Sequence, residues 1–285
     1  MNQTTAQPAA QTTAQPTAQP TAPVRAGFRI DGRRLSYVDF GGPGRPLIAL
    51  HGHMSEGASF AEVAAALAPE WRVIAPDQRG HGESDRASDY SREGYVADVV
   101  ALLDHLGLDR AVLLGHSLGG INAYQLAARH PERVSALVNI DAPVRLGLDG
   151  GPDPMAFVLS LPYEAPTREA MIEGMGHFAP FFADALRENP DGSWRLPFHP
   201  EDIHASEQAN RGDHWADWTA GACPALVIRA TRGGVISAGD ARAMVERRPG
   251  TRLVELETDH FVYAADPGGV ASAVAEFLRS AALIG

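Results

Sequence analysis

Apolar residues gather in short aliphatic runs, and the stretches between those runs repeat with a helical period. Pro46–Leu50, Trp71–Ala75, Ala111–Leu114, Val134–Ile140, Ala225–Ala230 and Thr251–Leu256 are brief and mostly aliphatic, which predicts buried strands. Phe28–Phe40 reads as two strands around Asp31-Gly32, a dipeptide suited to a tight hairpin. Helical spacing covers Phe60–Ala68, Tyr95–Leu106, Asn122–Arg129, Ala241–Arg247 and Val270–Leu278. Val96, Val99, Val100 and Leu103 share one face of the second of these. The first ends at Pro69 and the third stops before Pro131. Alternating strands and helices predict an α/β fold, with a mostly parallel central sheet covered by helices on both faces.

The rhythm breaks at both ends of that pattern. Residues 1–24 are Gln, Thr, Ala and Pro with few others, and Gln-Pro recurs at Gln7-Pro8, Gln15-Pro16 and Gln19-Pro20. This segment offers nothing to bury, so a disordered low-complexity tail is expected. It has neither the basic nor the apolar region of a signal peptide. Residues 144–218 lose the strand–helix alternation and are rich in Met, Phe and Trp. Helical pieces are predicted there at Met155–Ser160, Thr167–Gly174, Ala179–Glu188 and Pro200–Asn210.

Composition narrows the classes. With 285 residues at 45% hydrophobic, the chain can bury a large core. A net charge of −11 repels phosphate backbones and anionic bilayers, so neither nucleic acid nor membrane is an expected partner. Cys223 is the only cysteine, which excludes an intrachain disulfide and a cysteine-rich metal site. No run approaches the ~18 apolar residues of a membrane span. A cytoplasmic protein is expected.

The candidate chemistry sits at Gly115-His116-Ser117-Leu118-Gly119-Gly120. A strand runs in and a helix runs out, which places Ser117 on a sharp reversal with its hydroxyl exposed. Glycines on either side let strand and helix approach closely. The Leu118 N–H, at the helix start, can face developing negative charge.

This segment resembles the nucleophile elbow of the α/β-hydrolase superfamily. His51-Gly52-His53-Met54, after the strand Pro46–Leu50, resembles the opening of that family's oxyanion loop. The resemblance implies a second backbone donor at His53, beside Leu118, while His51 reads as a structural hydrogen-bonding residue. Asp77 to Asp85 (DQRGHGESD) is similar to a family signature loop, in which Asp77 and Arg79 brace the turn. His81, Glu83 and Asp85 lack the further ligands of a known metal site, so no metal is expected. His260 follows the last strand, where the family keeps its general base, and would activate the Ser117 hydroxyl.

The acid departs from the commonest family pattern. Gly234 stands about where an Asp is expected after Ala225–Ala230. Some relatives place the acid after the strand that precedes the cap, which here is Asp141. Asp240 is a second candidate. Asp259 adjoins His260, and neighbouring side chains usually diverge.

The resemblance also implies that 144–218 is a helical cap inserted before the last two strands. Residues 25–143 and 219–285 would then form the core. His116, Met155, Phe157, Met175, Phe178, Phe182, Trp194, Trp215 and Phe261 are candidate pocket residues, about half of them expected to be plain packing. The expected function is hydrolysis of an ester, thioester or lactone of a largely apolar small molecule, through a Ser-His-Asp triad and with no cofactor. Non-hydrolytic or carbon–carbon-cleaving chemistry on the same fold (a lyase, cofactor-free oxygenase or perhydrolase) is the alternative. A non-catalytic small-molecule receptor is a third reading. Oligomeric state is left open.

Overall fold

The computed structural model describes residues 22–148, 150 and 153–281. Residues 1–21 of the expected tail therefore lie outside the described residues, and Val24 at its end already opens the first strand. Eight strands form one sheet: β1 (Val24–Ile30), β2 (Arg33–Asp39), β3 (Arg45–Leu50), β4 (Trp71–Pro76), β5 (Ala111–His116), β6 (Val134–Ile140), β7 (Ala225–Ala230) and β8 (Thr251–Leu256). Their order across the sheet is β1-β2-β4-β3-β5-β6-β7-β8. The hairpin β1–β2 and the β2–β4 pair are antiparallel, and every pair from β4 to β8 is parallel.

Successive side chains on a strand point to opposite faces, and β5 shows it. Ala111 and Leu113 enter one apolar cluster, while Val112 and Leu114 enter the other. The eight longer helices are α1 (Ala61–Leu67), α2 (Arg92–His105), α3 (Leu118–Arg129), α4 (Arg168–Met175), α5 (Pro200–Asn210), α6 (Trp215–Ala220), α7 (Ala238–Arg247) and α8 (Pro267–Ser280). Val99, Leu103, Ile121 and Met244 of α2, α3 and α7 pack on the first face. Val63, Leu67, Val270 and Phe277 of α1 and α8 cover the second. Burial on both faces is why the parallel strands read as aliphatic runs.

Three helices, α2, α7 and α8, start three residues upstream of the predicted points because polar caps set them. Ser91 accepts from Gly94 N–H at α2, Ser237 from Asp240 N–H at α7, and Asp266 from Gly269 N–H at α8.

The segment between β6 and β7 builds its own apolar cluster from Val158, Leu161, Met171, Met175, Phe182 and Phe198, among others. Its helices α4 and α5 match the expected pieces. Ala156–Ser160 is a 3₁₀ turn, and of Ala179–Glu188 only Ala179–Phe182 is α-helical. Arg187 is instead drawn into a small three-stranded sheet of Glu164–Ala165, Trp194–Arg195 and Arg187–Glu188, and its guanidinium pairs with Glu56 and Glu83 of the main domain. Arg86 adds a two-pronged bond to Asp202 of α5, at 2.6 and 2.9 Å. No helix among the described residues is long and apolar enough to cross a membrane.

Candidate active site

The turn between β5 and α3 puts Ser117 in a conformation that L-residues rarely adopt, with φ 51° and ψ −119°. Such strain persists only where the surroundings impose it. The surroundings here are close backbone contacts. A Cβ on Gly119 would collide with the Leu50 carbonyl, one on Gly115 with the Gly119 carbonyl, and one on Gly120 with the Ala142 side chain. The Ser117 N–H bonds the Ile140 carbonyl at 3.1 Å, and its carbonyl accepts from Gly120 and Ile121 at 2.9 and 3.1 Å. Leu118 is the first residue of α3, so its N–H belongs to the group with no partner inside the helix.

His260 lies in the loop after β8. Its Nε2 is 3.0 Å from Ser117 Oγ, and its Nδ1 is 2.8 Å from Asp141 Oδ2. Asp141 follows β6, is fully buried, and also sits at positive φ, 46°. Its Oδ2 accepts from Val235 N–H at 2.9 Å, and its Oδ1 from Ala230 N–H at 3.3 Å. The loop after β7 therefore wraps the Asp141 carboxylate. A Cβ on Gly234 would lie against Asp141 Oδ1 and the Ala230 carbonyl, so no side chain fits there. Asp240 is elsewhere, held by Ser237 and by Arg145 at 2.7 Å. Asp259 accepts from Phe261 N–H.

His116 lies beneath this arrangement. It is buried, donates from Nε2 to the His260 carbonyl at 2.8 Å, and its ring centroid is 4.6 Å from that of His260. His51 donates from Nδ1 to the Gly52 carbonyl and accepts at Nε2 from Gln78 N–H. His53 binds Ser206 Oγ of α5 at 2.9 Å, and Ser206 is 2.8 Å from the Tyr95 hydroxyl. His81, Glu83 and Asp85 do not converge. His81 packs on the rings of His51 and His53, Glu83 pairs with Arg187, and Asp85 accepts from Arg34 N–H.

Burial pushes all four of these histidines below the ordinary imidazole range: His51, His53 and His116 by direction, and His81 to about 3. They fold uncharged and take up protons only when the chain unfolds. The unfolded state then binds more protons below about pH 6.5, so stability is full above that pH and falls as pH drops towards the folded pKa values. Each such group removes up to about 1.4 kcal/mol per pH unit. Urea unfolding should show a steep loss of free energy between pH 7 and pH 5; a flat profile across that window would contradict neutral burial.

A chamber of about 160 Å³ opens over Ser117. Of the expected pocket residues, His116, Met155 and Phe261 line it, together with the expected oxyanion donors His53 and Leu118 and with Ser117 and His260. Phe157, Phe178 and Phe182 line a wider groove of about 820 Å³, which shares Met54 and Phe261 with the chamber. Met175 and Trp194 pack in the apolar cluster of the segment between β6 and β7, and Trp215 lies against the main core with the Arg247 guanidinium 4.2 Å over its ring. Met175 is buried, Trp194 and Trp215 are half-buried, and none of the three lines the chamber or the groove.

Glu207 and Asn210 also line the chamber and had not been singled out as candidate site residues. A signal for them exists. Ile203, Ser206, Glu207 and Asn210 fall at i, i+3, i+4 and i+7 of a predicted helix, the spacing of one face.

The α/β-hydrolase-fold profile matches residues 45–267. An N-formylmaleamate deformylase of Pseudomonas putida is 30% identical over 260 residues, spanning 87% of this chain and 94% of that protein. The crystal structure of an E-2-(acetamidomethylene)succinate hydrolase superposes with a TM-score of 0.79 at 25% identity, over 90% of this chain and 100% of that one. A marine microorganism esterase gives 0.77 at 25% identity, over 86% and 99%. With a matching profile across most of its length, and hydrolases as its relatives, the chain belongs to the α/β-hydrolase-fold family and is a hydrolase.

Proposed function

We propose that this hydrolase cleaves an acyl bond of a small molecule by way of an acyl-enzyme on Ser117. The unbroken run of hydrogen bonds Ser117 Oγ–His260–Asp141 carries this reading. Ser117 Oγ attacks the carbonyl carbon while His260 Nε2 takes its proton. Asp141 holds the imidazole with Nδ1–H inward and stabilises the imidazolium. The backbone N–H groups of Leu118 and His53 hold the carbonyl oxygen as it gains charge. His260 then protonates the leaving group, and the carbonyl reforms as that group departs. Water, deprotonated by the same imidazole, attacks the acyl-Ser117 ester, and the carboxylic acid and the free hydroxyl are restored.

An ester, thioester or lactone is the first reading of the bond, because an alkoxide or thiolate leaves readily. An amide is a second, favoured by one observation: two full-length relatives are an N-formylmaleamate deformylase and an E-2-(acetamidomethylene)succinate hydrolase, both named for compounds with an acyl group on nitrogen. A chain with a single cysteine, Cys223, suits the cytoplasm. Matched p-nitrophenyl esters and p-nitroanilides of short acids separate the two bond types. The expected result is ester turnover that Ser117→Ala abolishes. Anilide turnover without ester turnover would overturn the ester assignment. Neither, at any acyl length, would overturn the reading itself.

A further inference from the structure

The chamber has one polar wall. On the inward stripe of α5, Ser206, Glu207 and Asn210 are all at least nine-tenths buried. Ser206 is engaged with His53 and Tyr95. Glu207 and Asn210 are not so engaged. The Glu207 carboxylate comes within 3.6 Å of His53 Nδ1, beyond hydrogen-bond length, and has no hydrogen bond among the described residues. Asn210 is fully buried, and its amide oxygen and nitrogen are unpartnered and shielded from the chamber as well. Buried polar groups are nearly always satisfied, so the open Glu207 acceptor on the cavity wall calls for a ligand that donates to it.

The sign of that ligand follows from the rest of the lining. The chain contains no lysine, and none of its 24 arginines lines the chamber. Burial, with Asp153, raises the Glu207 pKa against the weaker through-space pull of Arg211, Arg92 and His204. A substrate carboxylate would meet Glu207 with no cation to offset it. An N–H donor on the substrate matches the open carboxylate.

We propose that Glu207 forms a recognition subsite for a carboxamide in the acyl part of the substrate, whose N–H donates to the Glu207 carboxylate. This rests on the reading of Ser117 as the group that takes up the acyl part. The chamber is close to the ~150 Å³ that holds one benzene ring, so an acyl group of about six or seven heavy atoms fills it. N-acetylglycyl has that size. The 4-oxopentanoyl group has the same shape with CH2 in place of N–H.

The test compares this pair twice. Wild-type kcat/KM is measured on the two p-nitrophenyl esters, each divided by its spontaneous hydrolysis rate. Binding of the two methyl esters is measured on Ser117→Ala by ligand-observed NMR. The N-acetylglycyl compound should win by about tenfold in both, the scale of one hydrogen bond to a charged acceptor. Glu207→Met should bring both ratios close to one, and Glu207→Gln, which keeps an acceptor oxygen and the side-chain shape, should give an intermediate value if the Met variant does not fold. Turnover with equal ratios, or ratios unmoved by both variants, would overturn the subsite and leave Ser117 standing. Preferential binding without turnover would overturn Ser117 and keep the subsite. No binding and no turnover would overturn both.

Discussion

Asp141→Asn is expected to lower kcat by about four orders of magnitude, the scale known for the same change in a serine protease triad. Asp240→Asn should stay near wild type. The reason lies in how the carboxylate is used. Its Oδ2 accepts from both His260 Nδ1–H and Val235 N–H, and its Oδ1 from Ala230 N–H. Asparagine has one acceptor oxygen. If that oxygen takes the place of Oδ1 and accepts from Ala230 N–H, the amide NH2 faces both His260 and Val235 N–H and selects the wrong tautomer. If it takes the place of Oδ2, the buried Ala230 N–H meets an NH2 group. The second arrangement costs about 1–3 kcal/mol of stability, so thermal unfolding should register the variant as well. Asp240 makes its bonds with Ser237 and Arg145, away from His260. Steady-state turnover of a p-nitrophenyl ester by both variants decides the matter. Equal activity of Asp141→Asn and wild type would remove Asp141 from the mechanism.

The elbow was legible because its requirement is steric. Gly115, Gly119 and Gly120 stand where a Cβ would strike Gly119, Leu50 or Ala142, and glycines at such spacing are visible in a sequence. The sheet was legible because strands buried on both faces must be aliphatic throughout. Sheet order was not. That β6 and β7 are neighbours, which brings the loop holding Gly234 and Val235 around Asp141, depends on pairing across about 90 residues. The segment between β6 and β7 was legible only as a change of rhythm. Apolar residues there announce burial without saying on which side. Hence Phe157 and Phe182 face the groove while Met175 and Trp194 face their own layer. The polar wall was hidden for the opposite reason. Ser206, Glu207 and Asn210 occupy the inward face of α5, where hydrophobic patterning would turn polar residues outward.

Ser117→Ala carries the largest expected effect. Removal of the nucleophile from a working triad costs on the order of 10⁶ in kcat, because His260 and Asp141 then have nothing to activate. The substitution removes one oxygen from a turn held by its backbone bonds to Ile140, Gly120 and Ile121. The fold should therefore survive, with unfolding temperature close to wild type. A large loss of activity with an unchanged melt is the expected signature. Loss of both together would make Ser117 a structural residue.

The most direct measurement is the mass of the protein after incubation with a fluorophosphonate, followed by peptide mapping. A serine primed by His260 should displace fluoride and carry a single phosphonyl adduct on Ser117, absent from Ser117→Ala and greatly slowed in His260→Gln. An unmodified chain, or an adduct on any other residue, would contradict the account.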